Sequence, residues 1–248
     1  MRKYGHRIIE SLFKRRSKRP AVSAEFASRS KTDSDRSDIR MFEVGLSSEQ
    51  SGDYEQSTGI AAQESEGERL IAVAKEHGLF IDKSRWDSFG ERNQILSGES
   101  IVYLSDDCKT VIKLRSPFSK SVIKQMHAKD AIYEHIIHNI LFPTTRYKFI
   151  GVTQDTVGVR IVLSQKYIPD IFTIPSQKDI DRYLIEGLGL TPENRYFYGN
   201  DYVAVTDVSA YSDNVLSDGE RLYFIDPIIR FKKPAVEVLN YYNDMLLG

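Results

Sequence analysis

The predicted fold is decided by one stretch near the C-terminus, Val203-Ala-Val-Thr-Asp207-Val-Ser-Ala-Tyr-Ser-Asp213-Asn214-Val-Leu, and by the Leu222-Tyr-Phe-Ile-Asp226-Pro that follows it. The apolar run before Asp207 predicts a strand, and the two later runs predict a β-strand pair. Asp207, Asn214 and Asp226 then fall on loops and strand ends. Carboxylate and amide oxygens are the ligands that Mg²⁺ prefers in proteins. The stretch therefore predicts three oxygen-bearing side chains arranged for phosphate and metal.

The rest of the chain predicts a mixture of helices and antiparallel strands. Helices are expected at 68–77, 121–141, 176–186 and 236–247, and strands at 94–96, 100–104, 110–114, 147–151 and 157–165. Ser176 and Asp179 have the spacing of a capping box at a helix start. Because the elements do not alternate as repeated βαβ units, the fold class is predicted to be α+β.

Composition excludes several other classes of protein. The chain has 248 residues, 41% of them hydrophobic, a net charge of −1 and one cysteine, Cys108. No apolar run approaches the roughly 18 residues that span a bilayer, which predicts a soluble protein of the cytoplasm, of either the producing cell or a host cell. Residues 1–40 carry 12 Lys and Arg against 5 Asp and Glu. We expect residues 1–64 to be a basic arm and a disordered linker; the arm is either simply solvated or binds nucleic acid or an anionic surface.

Several short segments, taken in order, carry a resemblance to a known family. They are Ala72-Val-Ala-Lys-Glu-His-Gly78, Ser97-Gly-Glu-Ser-Ile-Val-Tyr103, Val111-Ile-Lys-Leu114, His138-Asn-Ile-Leu-Phe-Pro143, Val162-Leu-Ser-Gln165, the run from Asp207 to Leu216, and Phe224-Ile-Asp-Pro227. Residues 65–231 resemble the polyvalent-protein kinase-like domains of phage and other mobile elements, distant relatives of protein kinases. The resemblance implies a compact two-lobed kinase-like fold with an N-lobe at about 65–163 and a reduced C-lobe at about 168–248.

The resemblance implies a role for each polar position in the first half of this region. Gly98 would let backbone N–H groups approach phosphate, with Ser100 beside it, although a plain hairpin turn fits equally well. Lys113 would contact the α- and β-phosphates and be held by a carboxylate on the next helix. Glu134 is the first candidate for that carboxylate and Asp130 is the rival. A strand lysine between apolar neighbours can instead point to solvent.

Two further segments have roles that the residue types leave open. Gln165 and Tyr167 occupy the position of an inter-lobe hinge that would meet the adenine of a nucleotide, although a structural linker fits them as well. His138 and Asn139 match the family pattern, and we expect them to cap a helix or to form a hydrogen bond across the lobes.

The catalytic assignment rests on Asp207, Asn214 and Asp226. Asp207 would orient the attacking hydroxyl or accept its proton, and Asn214 and Asp226 would hold Mg²⁺. The chain departs from the kinase pattern, because Asn214 follows Asp207 by seven positions rather than five. Either the loop is longer or Asp213 shares the work. Turn acids of a plain hairpin are the alternative.

The resulting functional hypothesis is an ATP- and Mg²⁺-dependent phosphotransferase. Only 22 residues follow Asp226, too few for a long activation segment and a protein-substrate lobe. This disfavours a conventional protein kinase and leaves small-molecule phosphorylation and nucleotidyl transfer open, so the acceptor, a protein or a small molecule, is not assigned. The alternative is a catalytically inactive, pseudokinase-type binding module of a mobile-element or effector protein. No zinc-type Cys or His spacing, Walker A loop or G-x-S-x-G motif competes with these hypotheses.

Overall fold

The computed structural model describes residues 60–92, 100–118, 127–169, 173–194 and 197–247. Its helices are α1 (Ile60–Glu76), α2 (Ala128–Leu141), α3 (Gln177–Asp181) and α4 (Ala235–Leu247), with 3₁₀ turns at Lys83–Phe89 and Pro143–Thr145 and a π-helical turn at Arg182–Gly187. Its strands are β1 (Glu91–Arg92), β2 (Ser100–Leu104), β3 (Thr110–Arg115), β4 (Tyr147–Gln154), β5 (Val159–Lys166), β6 (Thr191–Asn194), β7 (Phe197–Gly199), β8 (Val203–Thr206), β9 (Val215–Ser217), β10 (Leu222–Phe224) and β11 (Ile228–Phe231). The predicted α+β class is confirmed, whereas the two-lobed arrangement stays a prediction.

The first half of the described chain is built on a five-stranded antiparallel sheet with the order β1-β2-β3-β5-β4. The predicted β2–β3 and β4–β5 pairs are present. The β4–β5 turn has a local cause, since the Asp155 carboxylate accepts hydrogen bonds from the backbone N–H groups of Val157 (2.8 Å) and Gly158 (2.9 Å). Asp is favoured in turns because its side chain bonds to backbone groups two residues later. The predicted strand at 94–96 lies outside the described residues.

The two faces of this sheet pack against different partners, and this decides where the polar side chains of β3 point. Ile112 and Leu114 pack in a cluster around Trp86 on one face. On the other face, Ile161 and Leu163 of β5 belong to the main core, which also contains the apolar side chains of α1 and α2. Because side chains alternate along a strand, the remaining positions of β3 face α2.

Both long helices begin at positions that differ from the prediction. Helix α1 starts at Ile60, so residues 60–64 belong to a helix and not to the expected linker. Helix α2 starts at Ala128, because His127 is extended at φ −75° and ψ 148°. The Glu66 carboxylate accepts a hydrogen bond from the Ala128 N–H at 2.8 Å and lies 2.6 Å from His127 Nδ1. A carboxylate at this position satisfies an unpaired helix N–H, which favours a start here. Residues 121–126 of the predicted helix lie outside the described residues.

The second half contains a four-stranded antiparallel sheet, β11-β8-β7-β6, and the separate β9–β10 hairpin. The predicted cap at Ser176 is present, because its hydroxyl accepts a hydrogen bond from the Asp179 N–H at 3.1 Å. The predicted C-terminal helix is α4. Strands β6, β7 and β11 were not predicted, and Pro192 in β6 is a residue that argues against a strand. Among the helices of the described ranges, none has the length and apolar character to cross a membrane.

Candidate phosphotransfer site

Strand β3 turns Lys113 inwards rather than towards solvent. Ile112 and Leu114 occupy the Trp86 cluster, so Lys113 lies on the opposite face of the sheet, where only 8% of the residue is exposed. A buried ammonium must have hydrogen-bond acceptors, because its desolvation is costly. The interpretation of Lys113 as a solvent-facing strand residue is therefore wrong.

The Lys113 ammonium has three oxygen partners. Its Nζ donates hydrogen bonds to the Ile225 carbonyl oxygen at 2.9 Å and to the Tyr147 hydroxyl at 3.2 Å. The Asp226 Oδ1 atom lies 3.7 Å from Nζ. Burial lowers the pKa of Lys113, and the Asp226 carboxylate opposes that shift. Two of the three N–H donors of the ammonium are thus in hydrogen bonds, and the Asp226 carboxylate adds an ion pair.

The Asp226 carboxylate is held through one of its two oxygens. Besides Lys113, Oδ1 has Arg115 Nη1 at 3.4 Å and the Tyr147 hydroxyl at 3.2 Å. Burial alone would raise the pKa of Asp226, but the two cations outweigh it and hold the pKa well below its usual range. The side chain is 39% exposed, and within the described ranges Oδ2 has no hydrogen-bond or ion-pair partner. One anionic oxygen thus remains for a ligand.

The second pair of the site, a carboxylate and an amide, lies on the loop between β8 and β9. Asn214 Nδ2 donates a hydrogen bond to Asp207 Oδ2 at 2.8 Å, and the Ser212 hydroxyl donates to Asp207 Oδ1 at 3.1 Å. Asp207 has φ 62°, a left-handed conformation that Asp tolerates better than most residues. The longer spacing between Asp207 and Asn214 thus forms a compact loop. Because the amide nitrogen is used, the Asn214 Oδ1 atom remains for a cation.

The β9–β10 hairpin connects the two pairs. The Ile225 N–H donates to the Asn214 carbonyl oxygen at 2.8 Å, directly beyond the register pair Val215 and Phe224. Asn214 is therefore bonded to the residue before Asp226, whose own carbonyl accepts from Lys113. A continuous chain of contacts thus links four of the predicted site residues, Lys113, Asp226, Asn214 and Asp207, whose catalytic roles stay predictions.

Glu134 does not pair with Lys113, so that expectation is corrected. Its Oε1 atom accepts a hydrogen bond from the Ile229 N–H of β11 at 3.4 Å. Burial raises the pKa of Glu134 to about 7, and the Arg115 charge opposes the shift. Asp130, the rival, makes no ion pair with Lys113 either. The carboxylate faces the second sheet because α2 also packs against β11.

Gln165 and Tyr167 were expected to contact the nucleotide base, and Gly98 and Ser100 to form the loop over the phosphates. Gln165 is buried and its Nε2 donates to the Thr145 carbonyl at 2.6 Å, so this side chain serves the interior. The Tyr167 N–H donates to the Lys109 carbonyl at 2.8 Å, which extends the β3–β5 pairing, so this N–H is engaged within the protein. Ser100 begins β2 opposite Arg115. Gly98 lies outside the described residues.

His138 and Asn139 make structural hydrogen bonds, as expected. His138 Nε2 lies 3.3 Å from the Phe224 carbonyl oxygen. Asn139 donates from Nδ2 to the Tyr147 carbonyl (2.8 Å) and accepts at Oδ1 from the Tyr147 N–H (2.7 Å). Burial lowers the pKa of His138 to about 3, so the imidazole is neutral. These two residues tie helix α2 to both β4 and the β9–β10 hairpin.

Sequence reasoning missed two residues that contact Asp226. Arg115 could have been found, because it lies two positions after Lys113 on β3 and therefore shares its face. Tyr147 had no local signal, since it is 34 positions from Lys113 and 79 from Asp226. Its pKa is raised well above the ordinary value, first by burial and then by the nearby Asp226 charge, so the hydroxyl is neutral.

The donor set fits a metal ion that is shared with a phosphate ligand. Throughout the part of the chain that the structure describes, no group of three or more His, Cys, Asp or Glu side chains could hold a metal alone. Mg²⁺ commonly binds one or two protein carboxylates and completes its shell with water and substrate phosphates. Asp226 Oδ2 and Asn214 Oδ1, which have no hydrogen-bond or ion-pair partner among the described residues, are oxygen ligands of the kind that this mode of binding uses.

The Lys113–Asp226 pair and the adjacent Asp207–Asn214 loop suit a kinase-like phosphotransferase, and the comparison with protein families gives the same class at a coarse level. A family model described as a serine/threonine/tyrosine kinase found in polyvalent proteins matches residues 63–233. The match covers more than half of the sequence, and the chain belongs to this family, as the resemblance predicted. No curated protein and no solved structure gives a significant match.

Proposed function

We propose that this chain is an ATP- and Mg²⁺-dependent phosphotransferase that transfers a phosphoryl group to a hydroxyl of a protein or small-molecule acceptor. The observation that carries the proposal is the Lys113–Asp226 pair, in which one carboxylate oxygen of Asp226 has no partner among the residues that the structure describes. Phosphoryl transfer demands mainly positioning and charge neutralisation, and a buried cation beside an available carboxylate supplies both.

Each residue of the site has a proposed task. Asp226 Oδ2 and Asn214 Oδ1 would hold Mg²⁺, which neutralises charge on the phosphates when it is bound. When a nucleotide binds, the N–H groups of Lys113 would turn from their present acceptors to the phosphate oxygens. Asp207, on the exposed loop, would orient the acceptor hydroxyl and take its proton on a carboxylate oxygen. The Ser212 and Asn214 hydrogen bonds to Asp207 support this task, because they fix the orientation of the carboxylate.

The proposed arrangement of the chain is that of a small kinase-like protein. The N-lobe would contain the five-stranded sheet with α1 and α2, and the reduced C-lobe would begin near residue 168. The basic arm and linker would end before Ile60, where α1 begins. The loop of residues 97–100 would cover the phosphates. The roles of Gly98 and Ser100 in it stay predictions.

Thermal unfolding with and without Mg·ATP tests the binding step. The protein should be stabilised by Mg·ATP, and Asp226→Asn should lose most of that stabilisation because the main metal ligand is gone. Asp201→Asn is the matched control, since Asp201 is exposed on a turn outside the site. Equal stabilisation of both variants would contradict the proposed role of Asp226.

Turnover separates an enzyme from a binding module. Release of ADP in the presence of candidate acceptors should be detected with the wild type and should be lost in Asp207→Asn, which keeps the shape of the side chain but cannot accept a proton. Nucleotide binding without any turnover across protein and small-molecule acceptors would favour the inactive binding module.

A further inference from the structure

Tyr147 lies at the centre of the contacts between β3 and the residues around Asp226. It is the first residue of β4 and only 2% exposed. Its hydroxyl is 3.2 Å from Lys113 Nζ, 2.9 Å from the Ile225 carbonyl oxygen and 3.2 Å from Asp226 Oδ1. One hydroxyl oxygen thus touches both of the charged groups on which the proposed function rests.

The hydrogen-bonding capacity of a hydroxyl fits this position. It accepts from the Lys113 ammonium and has one proton to donate, which either the Ile225 carbonyl or the Asp226 carboxylate can accept. A neutral hydroxyl orients the ammonium without cancelling its charge. A carboxylate in the same place would form an ion pair and reduce the positive charge offered to phosphate.

Helix α2 holds the tyrosine in place from several sides. The Asn139 side chain bonds to both the N–H and the carbonyl of Tyr147. The His138 ring is 4.5 Å from the tyrosine ring and the His135 ring is 5.3 Å from it, measured between centroids. A side chain fixed by packing and by hydrogen bonds to its own backbone is what a preorganised site needs.

The expected holder of Lys113 is engaged elsewhere. The Glu134 carboxylate accepts from the Ile229 N–H, and its contacts do not include Lys113. We propose that Tyr147 is a positioning residue, which holds Lys113 and Asp226 in the relative placement that Mg·ATP requires, in the position where a helix carboxylate was expected. This inference rests on the proposed function, since it concerns the same site.

Calorimetric titration of the full chain with Mg·ATP tests the role of the hydroxyl. Tyr147→Phe keeps the ring and removes only the hydroxyl, and we expect Mg·ATP to bind at least about tenfold more weakly, the effect of one hydrogen bond to a charged group. Tyr242→Phe is the matched control, because Tyr242 is also 2% exposed and its hydroxyl is bonded to Asn200 in a different part of the core. Its affinity for Mg·ATP should be unchanged.

A double-mutant cycle distinguishes positioning from a general structural role. If Tyr147 acts through Lys113, the loss caused by Tyr147→Phe should be much smaller in a Lys113→Met background than in the wild type. Equal losses in both backgrounds, or equal binding by wild type and Tyr147→Phe, would overturn the inference and leave the proposed function standing. A wild type that does not bind Mg·ATP would remove both.

A spectroscopic measurement covers the case in which Tyr147→Phe does not fold. Tyr147→3-fluorotyrosine keeps both ring and hydroxyl, and its ¹⁹F resonance should shift when a non-hydrolysable Mg·ATP analogue saturates the protein. The same label at Tyr242 should not shift. A position-147 resonance that is unchanged at saturation would overturn the inference.

Discussion

Replacing His138 by glutamine should change how the stability of this protein depends on pH. His138 is 2% exposed and burial lowers its pKa to about 3, against an ordinary value of 6.5. Between these two values the unfolded chain binds a proton that the folded chain excludes. The unfolded state therefore gains protons as the pH falls, and the contribution of His138 to the free energy of unfolding is lost from about pH 6.5 downwards.

The size of the effect follows from the two pKa values. Between about pH 7 and about pH 4.5 the wild type should lose roughly 2.5 kcal/mol through His138 alone. His138→Gln can still donate a hydrogen bond to the Phe224 carbonyl, but it has no titrating group. The variant should lack this pH-dependent loss, while titrating groups that do not interact with His138 contribute equally to both proteins and cancel in the difference.

Urea unfolding at the two pH values measures this difference directly. The difference in the free energy of unfolding between wild type and His138→Gln should change by roughly 2.5 kcal/mol between the two pH values. His77→Gln, a histidine substitution at an exposed position, is measured alongside as the comparison variant. A change below about 0.5 kcal/mol for His138→Gln would refute the buried, neutral imidazole.

Three further substitutions test individual contacts of the fold. Burial raises the pKa of Glu134 to about 7 from an ordinary 4.5, so its ionisation removes stability as the pH rises through that range. In urea unfolding, Glu134→Gln should lack the resulting loss of about 2.5 kcal/mol between about pH 5 and pH 8. Asn139→Ala should cost about 3 kcal/mol in the same assay, because two buried backbone groups of Tyr147 lose their partners. A Cβ at Gly90 would lie 2.0 Å from the Leu104 carbonyl oxygen at φ 110°, so Gly90→Ala should lower the melting temperature sharply, whereas exposed Gly187→Ala should not. Unchanged unfolding in any of the three would contradict the corresponding contact.

The parts of the fold that sequence predicted are those with a local cause. The Ser176 cap and the turn between the predicted strands at 147–151 and 157–165, which the structure closes with Asp155, each involve residues within three positions of one another. The inward direction of Lys113 also has a local cause, because apolar neighbours on both sides go to one face of the strand. Alternation alone does not say whether the face that carries Lys113 is covered by the rest of the protein or exposed to solvent. The packing of the sheet, which depends on distant positions, decides between the two directions.

The parts that sequence missed depend on contacts between distant positions. The cap on α2 comes from Glu66, 62 positions before Ala128, and it moves the helix start away from the predicted one. Tyr147 meets Asp226 across 79 positions, and no spacing pattern marks it. Glu134 was chosen for its distance from Lys113 along the chain. That distance says nothing about how α2 packs against both sheets, which is what turns the Glu134 carboxylate towards Ile229.

The most direct test of the proposed metal and phosphate site is affinity cleavage with Fe²⁺ in place of Mg²⁺. With hydrogen peroxide and ascorbate added, bound Fe²⁺ reduces peroxide to hydroxyl radicals that cut the nearest backbone, and mass spectrometry locates the cuts. In the presence of ATP the chain should be cut beside Asn214 and Asp226, and Asp226→Asn should abolish both cuts. Cuts that fall elsewhere, or that are the same without ATP, would contradict a shared metal and phosphate site at these residues.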